Sequence, residues 1–165
     1  MYSKTKKAII LAIFLTVIPT ASFAKSKQNF NTDSEKICLA KAIYHEAKGE
    51  PEIGKKGVAK VVLNRKKHEK FPKTICGVIN QVDYDNGKKL CQFSWVCSRP
   101  KKYEEDSWKA SLDLSEDILN NRVSLPNFQS NVLFFKSVKS RKSFGRGYAF
   151  VTRLGKSNFY SKTSV

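Results

Sequence analysis

Apolar residues recur at intervals of three and four after residue 31, which predicts an amphipathic helix. The positions that share this face are Ile37, Ala40, Ile43, Tyr44 and Ala47. Thr32 and Glu35 have the T-x-x-E spacing of a capping box, so we expect the helix to begin there. Gly49 and Pro51 follow the last apolar position and predict the end of the helix.

The pattern predicts three more helical segments over residues 53–66, 74–80 and 104–120. Between the last two, residues 83–89 contain Asp, Asn and Gly, which favour a loop. Residues 90–97 are rich in strand-forming types and predict a strand. The first two thirds of the chain are therefore expected to be largely helical.

The last third of the chain has the pattern of a small antiparallel sheet. Residues 131–138 predict a strand, and residues 148–154 and 157–160 predict a hairpin that turns at Gly155. Helices followed by strands indicate an α+β fold, rich in helix and with a small antiparallel β portion.

The N-terminus has the layout of a secretory signal peptide. Basic residues Lys4, Lys6 and Lys7 precede an apolar run over residues 8–18, and small residues precede a cut after Ala24. The run is shorter than the roughly 20 residues that a spanning helix needs, although an uncleaved anchor is the alternative. We expect a signal peptide over residues 1–24, a flexible lead-in over 25–31, and one folded domain over 32–165.

Composition supports a folded but strongly basic protein. Hydrophobic residues make up 41% of the 165 residues, which is enough for a core. The formal net charge is +17 at pH 7, and the lysines are scattered along the chain. Such a charge favours polyanionic partners, which include nucleic acid, anionic lipid and cell wall polymers.

Four cysteines indicate two disulfides in an exported chain. They are Cys38, Cys76, Cys91 and Cys97. Three pairings are open at this point. A zinc site is the weaker alternative, because no pair has the C-x2-C spacing and the chain has two histidines.

Glu46 is the residue with the clearest catalytic chemistry. On the predicted first helix it lies three and four residues after Ile43 and Ala42, so it borders the buried face. Burial and the nearby helix C-terminus both favour the neutral carboxyl group, as a general acid requires. The alternative is a surface carboxylate that pairs with Lys41, Lys48 or Lys60.

Four segments, in order and at conserved spacing, resemble the SleB-type cell wall hydrolases, which form the spore cortex-lytic enzyme family. They are residues 39–51 (LAKAIYHEAKGEP), 57–65 (GVAKVVLNR), 71–79 (FPKTICGVI) and 91–97 (CQFSWVC). A single H-E-A-x-G-E segment would be weak evidence, whereas four ordered segments are specific.

The resemblance implies a lysozyme-like and lytic-transglycosylase-like fold that cleaves peptidoglycan between N-acetylmuramic acid and N-acetylglucosamine. The family's catalytic glutamate matches Glu46. The resemblance implies that this glutamate acts first as an acid and then as a base, without a cofactor or metal. The glycan strand is then left with a 1,6-anhydro sugar at its end. A muramidase-type hydrolase is the alternative and requires a second carboxylate, for which Glu50, Asp83 and Asp85 are the nearby candidates.

The resemblance weakens towards the C-terminus. Lys136 and Ser157 stand where many family members have histidines, and residues 144–152 fit the family poorly. Any role of those histidines in substrate binding or rate is therefore in question for this chain.

Substrate contacts are expected from residues that combine aromatic rings with hydrogen-bonding groups, as sugars require. The candidates are Glu50, Gln92, Phe93, Ser94, Trp95 and Tyr160. Core packing is the alternative for the aromatic residues, and stabilisation of the helix end is the alternative for Glu50. His45, Asn64 and Arg65 are expected to be structural.

These observations predict an exported, monomeric peptidoglycan glycosidase, periplasmic or extracellular, that binds no nucleic acid and, after signal cleavage, no membrane. One alternative is a non-catalytic cationic protein that binds the cell wall or acts as an antimicrobial. A secreted nuclease is the other, but we find no suitable nucleic-acid-binding motif.

Overall fold

Helix α1 (Ser26–Ala47) packs against three further α-helices of the described part of the chain. The computed structural model describes residues 26–141 and 143–163, with side chains from residue 32 onward. The predicted signal peptide over residues 1–24 lies outside this part of the chain. Residues 26–31, expected to precede the helix as a flexible lead-in, form its first turns.

The capping box predicted at Thr32 and Glu35 is wrong, because α1 begins at Ser26. The Glu35 carboxylate instead accepts hydrogen bonds from the backbone N–H groups of Ile75 (2.8 Å) and Cys76 (3.2 Å). These N–H groups belong to the first two residues of a short neighbouring helix. The first N–H groups of a helix have no partner within the helix itself. Glu35 therefore caps another helix and ties it to α1.

The remaining helices confirm the apolar pattern. They are α2 (Glu52–Lys67), α3 (Ile75–Ile79) and α4 (Glu105–Leu119). Together with α1 they enclose the main core, in which Leu39, Ile43 and Val62 are fully buried. Ser111 and Ser115 of α4 are also buried, and the Ser115 hydroxyl donates to a carbonyl of α1.

A hairpin replaces the predicted loop over residues 83–89. Strands β1 (Val82–Asp85) and β2 (Lys88–Cys91) pair antiparallel across Asn86 and Gly87. Both turn residues have positive φ, 50° and 75°, which is the requirement of a type I′ hairpin turn. The strand predicted over residues 90–97 ends at Cys91, and a 3₁₀ helix (Ser94–Cys97) follows it.

The second sheet confirms the prediction for the C-terminal third. Its strands are β3 (Val132–Ser137), β4 (Tyr148–Leu154) and β5 (Ser157–Lys162), in the order β3-β5-β4. Phe159 of the central strand packs on α2 at Gly57, where a Cβ atom would lie 2.5 Å from the Phe159 ring. Glycine at that position lets the sheet approach the helix closely.

Two disulfides join Cys38 to Cys76 and Cys91 to Cys97. The first links α1 to α3, and the second spans the 3₁₀ helix. The α+β class, the helix-rich first part and the two disulfides are as predicted. None of the helices in the described ranges is long and apolar enough to cross a bilayer.

Candidate active site

Glu46 lies in the last turn of α1, beside the fully buried Ala42 and Ile43. Its side chain is half-buried. The indole N–H of Trp95 donates a hydrogen bond of 2.9 Å to its Oε1 atom. No donor in the described part of the chain binds the other oxygen, Oε2. One oxygen is thus held in place while the other is available to a ligand.

The pKa of Glu46 is raised above its ordinary value, chiefly because burial disfavours the charged form. The hydrogen bond from Trp95 and the positive charge of Arg65 act in the opposite direction. A carboxyl group in this balance retains its proton at higher pH than an exposed one, yet its anion is also stabilised. That combination suits a group that first donates and then accepts a proton.

Arg65 supplies a buried positive charge near this carboxyl group. It is 4% exposed, and its Nε–H donates to the Leu133 carbonyl at 2.8 Å. Three aromatic rings surround the guanidinium, those of Phe71, Phe93 and Phe134, with centroids 5.3–5.7 Å away. Burial lowers the pKa of Arg65 to about 10, and the Glu46 charge opposes that shift. Arg65 is therefore protonated at neutral pH.

His45 and Trp95 form a stacked pair next to Glu46. Their ring centroids are 4.3 Å apart and their planes differ by 18°. Burial and the charges of Lys41 and Lys48 lower the pKa of His45, which keeps the ring neutral. His45 thus supports the indole that binds Glu46, which agrees with the structural role predicted from sequence.

Glu46 faces a cavity of about 380 Å³ between the end of α1 and the sheet. The cavity is lined by Glu46, Gly49, Glu50, Phe135, Lys136, Ser137, Lys139, Lys156 and Ser157. Its three lysines were not singled out by the sequence, since lysine is common throughout the chain. Lys136 and Ser157, the positions where histidines were expected, both lie here.

Glu50 lines the same cavity, but its carboxylate is occupied. Oε2 accepts from the Lys156 backbone N–H at 2.6 Å, and Oε1 accepts from the Ser157 hydroxyl at 2.8 Å. Gly155 has φ +59°, and a Cβ atom there would lie 2.5 Å from Glu50 Oε2. These contacts fasten the segment after α1 to the β4–β5 turn, which supports a positioning role for Glu50.

The other predicted substrate contacts occupy three environments. Ser94 and Trp95 line a second cavity of about 400 Å³, together with His45 and Tyr103. Phe93 is 3% exposed and packs in the main core, which favours packing over sugar contact. Gln92 is half-buried, and its backbone N–H bonds to the Gln81 carbonyl.

The sixth predicted contact, Tyr160, lies on the outer face of the three-stranded sheet. Its ring contacts those of Phe144 and Phe150, with centroids 5.0 and 5.9 Å away. It is therefore placed on the same strand as Ser157 of the cavity, but on the opposite side of the sheet from Phe159.

A larger cavity of about 590 Å³ lies near the C-terminal end of α2, and His68, Glu69 and Phe71 contribute to it. Its carboxylate, Glu69, is exposed, whereas Glu46 is half-buried. Chemistry rather than size therefore selects the Glu46 cavity. In residues 26–141 and 143–163, no cluster of His, Cys, Asp and Glu is arranged to hold a metal ion.

Two curated proteins match short segments of the chain. A spore cortex-lytic enzyme of Halalkalibacterium halodurans is 44% identical over 48 residues, which are 29% of this chain and 14% of that protein. A spore cortex-lytic enzyme of Bacillus cereus is 49% identical over 41 residues, 25% of this chain and 16% of that protein. The matches thus span less than a fifth of each relative.

A solved structure and a family model cover more of the chain. The catalytic domain of the germination-specific lytic transglycosylase SleB from Bacillus anthracis has a TM-score of 0.50 at 20% identity, over 86% of this chain and 98% of that domain. This likeness confirms the SleB-type fold. The family model described as Cell Wall Hydrolase matches residues 49–160, which begin just after Glu46. The chain belongs to the cell wall hydrolase family.

Proposed function

We propose that this protein cleaves the glycan strand of peptidoglycan between N-acetylmuramic acid and N-acetylglucosamine, with Glu46 as the catalytic acid and base. The observation that carries the proposal is the state of the Glu46 carboxyl group. It is half-buried, has a raised pKa, accepts a hydrogen bond from Trp95 at Oε1, and belongs to a residue that lines a cavity.

The reaction follows from the two states of that carboxyl group. Protonated Glu46 donates its proton to the glycosidic oxygen, and the bond from this oxygen to the muramic acid C1 breaks. The Glu46 carboxylate then accepts the proton of the muramic acid 6-hydroxyl, whose oxygen attacks C1. The products are a free 4-hydroxyl on N-acetylglucosamine and a 1,6-anhydro sugar. Glu46 ends protonated, and no water is consumed.

The environment of Glu50 supports this transglycosylase route over a two-carboxylate hydrolase. A hydrolase needs a second carboxylate as nucleophile or as the base that activates water. Glu50 is the other carboxylate of the cavity, and both its oxygens accept hydrogen bonds from the β4–β5 turn. Asp83 and Asp85 lie on the exposed β1–β2 hairpin. One carboxyl group is therefore the chemistry that the cavity offers.

The substrate and location are supported by separate observations. The curated relatives are named for lysis of spore cortex, and the net charge of +17 suits an anionic wall polymer. Two disulfides favour an oxidising compartment, so we propose export to the periplasm or the extracellular space. We propose that the protein acts there as a monomer.

Digestion of purified sacculi with the protein and with Glu46→Gln tests the proposal. We expect the protein to release muropeptides that are lighter by one water than hydrolytic products, and Glu46→Gln to release none above background. Mass spectrometry distinguishes the two kinds of end. Products with reducing muramic acid ends would establish a hydrolase instead, and equal release by Glu46→Gln would disprove the catalytic role.

A further inference from the structure

The outer face of the three-stranded sheet carries a cluster of five aromatic rings, here called the aromatic face. Its members are Phe134, Phe144, Tyr148, Phe150 and Tyr160. Each ring contacts another: Phe134 and Tyr148 at 4.9 Å, Phe144 and Tyr148 at 5.1 Å, and Phe150 and Tyr160 at 5.9 Å between centroids. Mutual contacts fix the rings in place, so little side-chain entropy remains to be lost when a ligand binds.

The strand alternation explains why Phe150 and Tyr160 lie outside the core, whereas the Phe134 ring also contacts the buried Arg65 guanidinium. On β5, Ser157, Phe159 and Ser161 are buried, so Tyr160 lies on the opposite side. Phe150 pairs with Tyr160 across β4 and β5, and it remains 59% exposed. The other four rings are half-buried, so the five together form one contiguous, partly exposed apolar surface, and such a surface indicates a binding site.

Lys136 connects the aromatic face to the Glu46 cavity. Its Nζ atom lies 5.5 Å from the Phe144 ring centroid and 5.4 Å from that of Tyr160. The same residue lines the cavity that contains Glu46. A second lysine, Lys162, is exposed on β5 opposite Tyr148. The aromatic face is thus continuous with the cavity and has positive charge at two positions.

We propose that the aromatic face binds the part of the glycan strand that extends beyond the Glu46 cavity. Sugar rings lie on Phe150 and Tyr160, because the apolar faces of pyranose rings pack against aromatic rings. Carboxylates of the stem peptides lie near Lys136 and Lys162, where their charge is complementary. This inference rests on the proposed function, since it takes its ligand from the reaction assigned to Glu46.

The proposal makes the protein an enzyme for long glycan strands. Contacts far from the reacting bond that are equally strong before and during the reaction improve substrate binding without raising the maximal rate. The aromatic face should therefore lower the concentration of intact sacculi needed for half-maximal rate. It should have no effect on a glycan short enough to occupy the cavity alone.

Co-sedimentation of the full chain with purified sacculi tests the binding. Glu46→Gln is used as the background so that the polymer stays intact. We expect Phe150→Ala in this background to bind about fivefold to tenfold more weakly, and Phe150→Trp to bind at least as tightly. Tyr84→Ala is the matched control, because Tyr84 is a 71% exposed strand aromatic on the other sheet, and it should leave binding unchanged.

Kinetics with the active protein provide the second measurement. Phe150→Ala should raise the half-saturating amount of sacculi by a similar factor, with an unchanged maximal rate and unchanged cleavage of a two-disaccharide glycan. Equal binding by Phe150→Ala and its parent, or equal loss on both substrates, would overturn the proposal. Cleavage retained by Glu46→Gln would remove the proposed function alone, since the sedimentation result stands independently.

The same variants distinguish the glycan from two other candidate ligands of the aromatic face, a membrane and a second copy of the chain. Loss of binding to phosphatidylglycerol vesicles, with sacculus binding retained, would assign the face to a membrane and overturn the proposal. A dimer that Phe150→Ala converts to a monomer in sedimentation velocity would assign it to a second copy of the chain, and would also overturn it. Unchanged vesicle binding and unchanged mass support the glycan.

Discussion

The last turn of α1 and the segment that follows it each present a glutamate to the same cavity, but they treat the carboxyl group differently. At the helix end, Glu46 has one oxygen held by Trp95 and the other without a donor among the described residues. In the following segment, both oxygens of Glu50 accept hydrogen bonds from the β4–β5 turn. Two glutamates four positions apart thus have different hydrogen-bond environments, which fit the proposed proton transfer by Glu46 and the proposed anchoring role of Glu50.

Both glutamates line the cavity, so their position does not distinguish them. They differ in how many of their carboxyl oxygens accept hydrogen bonds from the protein, and we propose that this difference sets their roles. A carboxylate whose two oxygens both accept hydrogen bonds from the protein has no free oxygen for substrate. A carboxyl group that is partly buried and half satisfied can move a proton. The predictions below test this distinction, from the largest expected effect to the smallest.

Glu46→Gln and Glu50→Gln should differ most in catalysis. We expect Glu46→Gln to reduce the rate of muropeptide release by about 10² to 10⁴, the usual contribution of a general acid or base. Glu50→Gln should keep more than about a tenth of the activity, because it retains an acceptor for the Ser157 hydroxyl. Turbidity loss of sacculi measures both. If Glu50→Gln lost as much activity as Glu46→Gln while circular dichroism showed an intact fold, the proposed difference between the two glutamates would be wrong.

Glu50→Ala should have the larger effect on stability. It leaves the Lys156 N–H and the Ser157 hydroxyl without their acceptor, so we expect the free energy of unfolding to fall by about 1–3 kcal/mol. Urea denaturation measures this. The control is Glu52→Ala, whose carboxylate is 67% exposed and pairs with Lys56, so its loss should cost less than about 0.5 kcal/mol. Similar losses in the two variants would contradict the anchoring role.

Trp95→Phe should change the pH dependence of activity. The Trp95 hydrogen bond lowers the pKa of Glu46, so its removal raises that pKa further. Because Glu46 must be protonated to act as the acid, activity falls as the pH rises through this pKa. The alkaline limb of the pH–rate profile should therefore move to higher pH, with a rate loss of about threefold to tenfold.

Trp108→Phe provides the control for Trp95→Phe. Trp108 stacks on Tyr103 and has no hydrogen bond to Glu46, so its variant should keep the original alkaline limb. A limb that moves to lower pH in Trp95→Phe would show that the indole disfavours the anion, contrary to its position as a donor.

The smallest effect concerns how stability changes with pH. Burial raises the pKa of Glu46 in the folded protein above its value in the unfolded chain. The folded state therefore binds the proton more tightly, and this stabilisation is complete below the unfolded pKa and is lost as the pH rises through the folded pKa. Relative to Glu46→Gln, the protein should be more stable at pH 4 than at pH 8. Denaturation at both pH values measures the difference, and a difference of opposite sign would contradict a raised pKa.

The sequence predicted the helices well because helix formation depends mainly on residues that are close together in the chain. Apolar spacing placed α1, α2 and α4, and the position of Glu46 beside Ile43 followed from the helical period alone. The same kind of pattern misled at Thr32 and Glu35. A capping-box spacing also occurs inside a helix, and here Glu35 serves the N-terminus of α3, 40 residues away in sequence.

The hairpin was missed because its strands have little apolar pattern. Three of the four residues of β1 are exposed, so no alternation distinguishes them from a loop. The turn residues Asn86 and Gly87 were a usable signal, since this pair is typical of type I′ turns. The composition was interpreted as a loop when the dipeptide itself predicts a hairpin.

The sequence could not predict the contacts in the site between residues that are far apart in the chain. Trp95 is 49 residues from Glu46, and its hydrogen bond depends on how the 3₁₀ helix packs against α1. The approach of Arg65 and of the cavity lysines depends equally on how α2 and the sheet are placed. The sequence marked Trp95 as a candidate substrate contact, and the structure adds a hydrogen bond from its indole N–H to Glu46 that the sequence did not predict.

The Cys91–Cys97 disulfide encloses Trp95 in a ring closed between two residues six positions apart. In a reducing cytosol the thiols are separate, and the indole loses a covalent restraint on its position over the carboxyl group. We propose that this disulfide forms after export, so that the indole is fixed beside Glu46 only in the oxidising compartment where the protein is proposed to act.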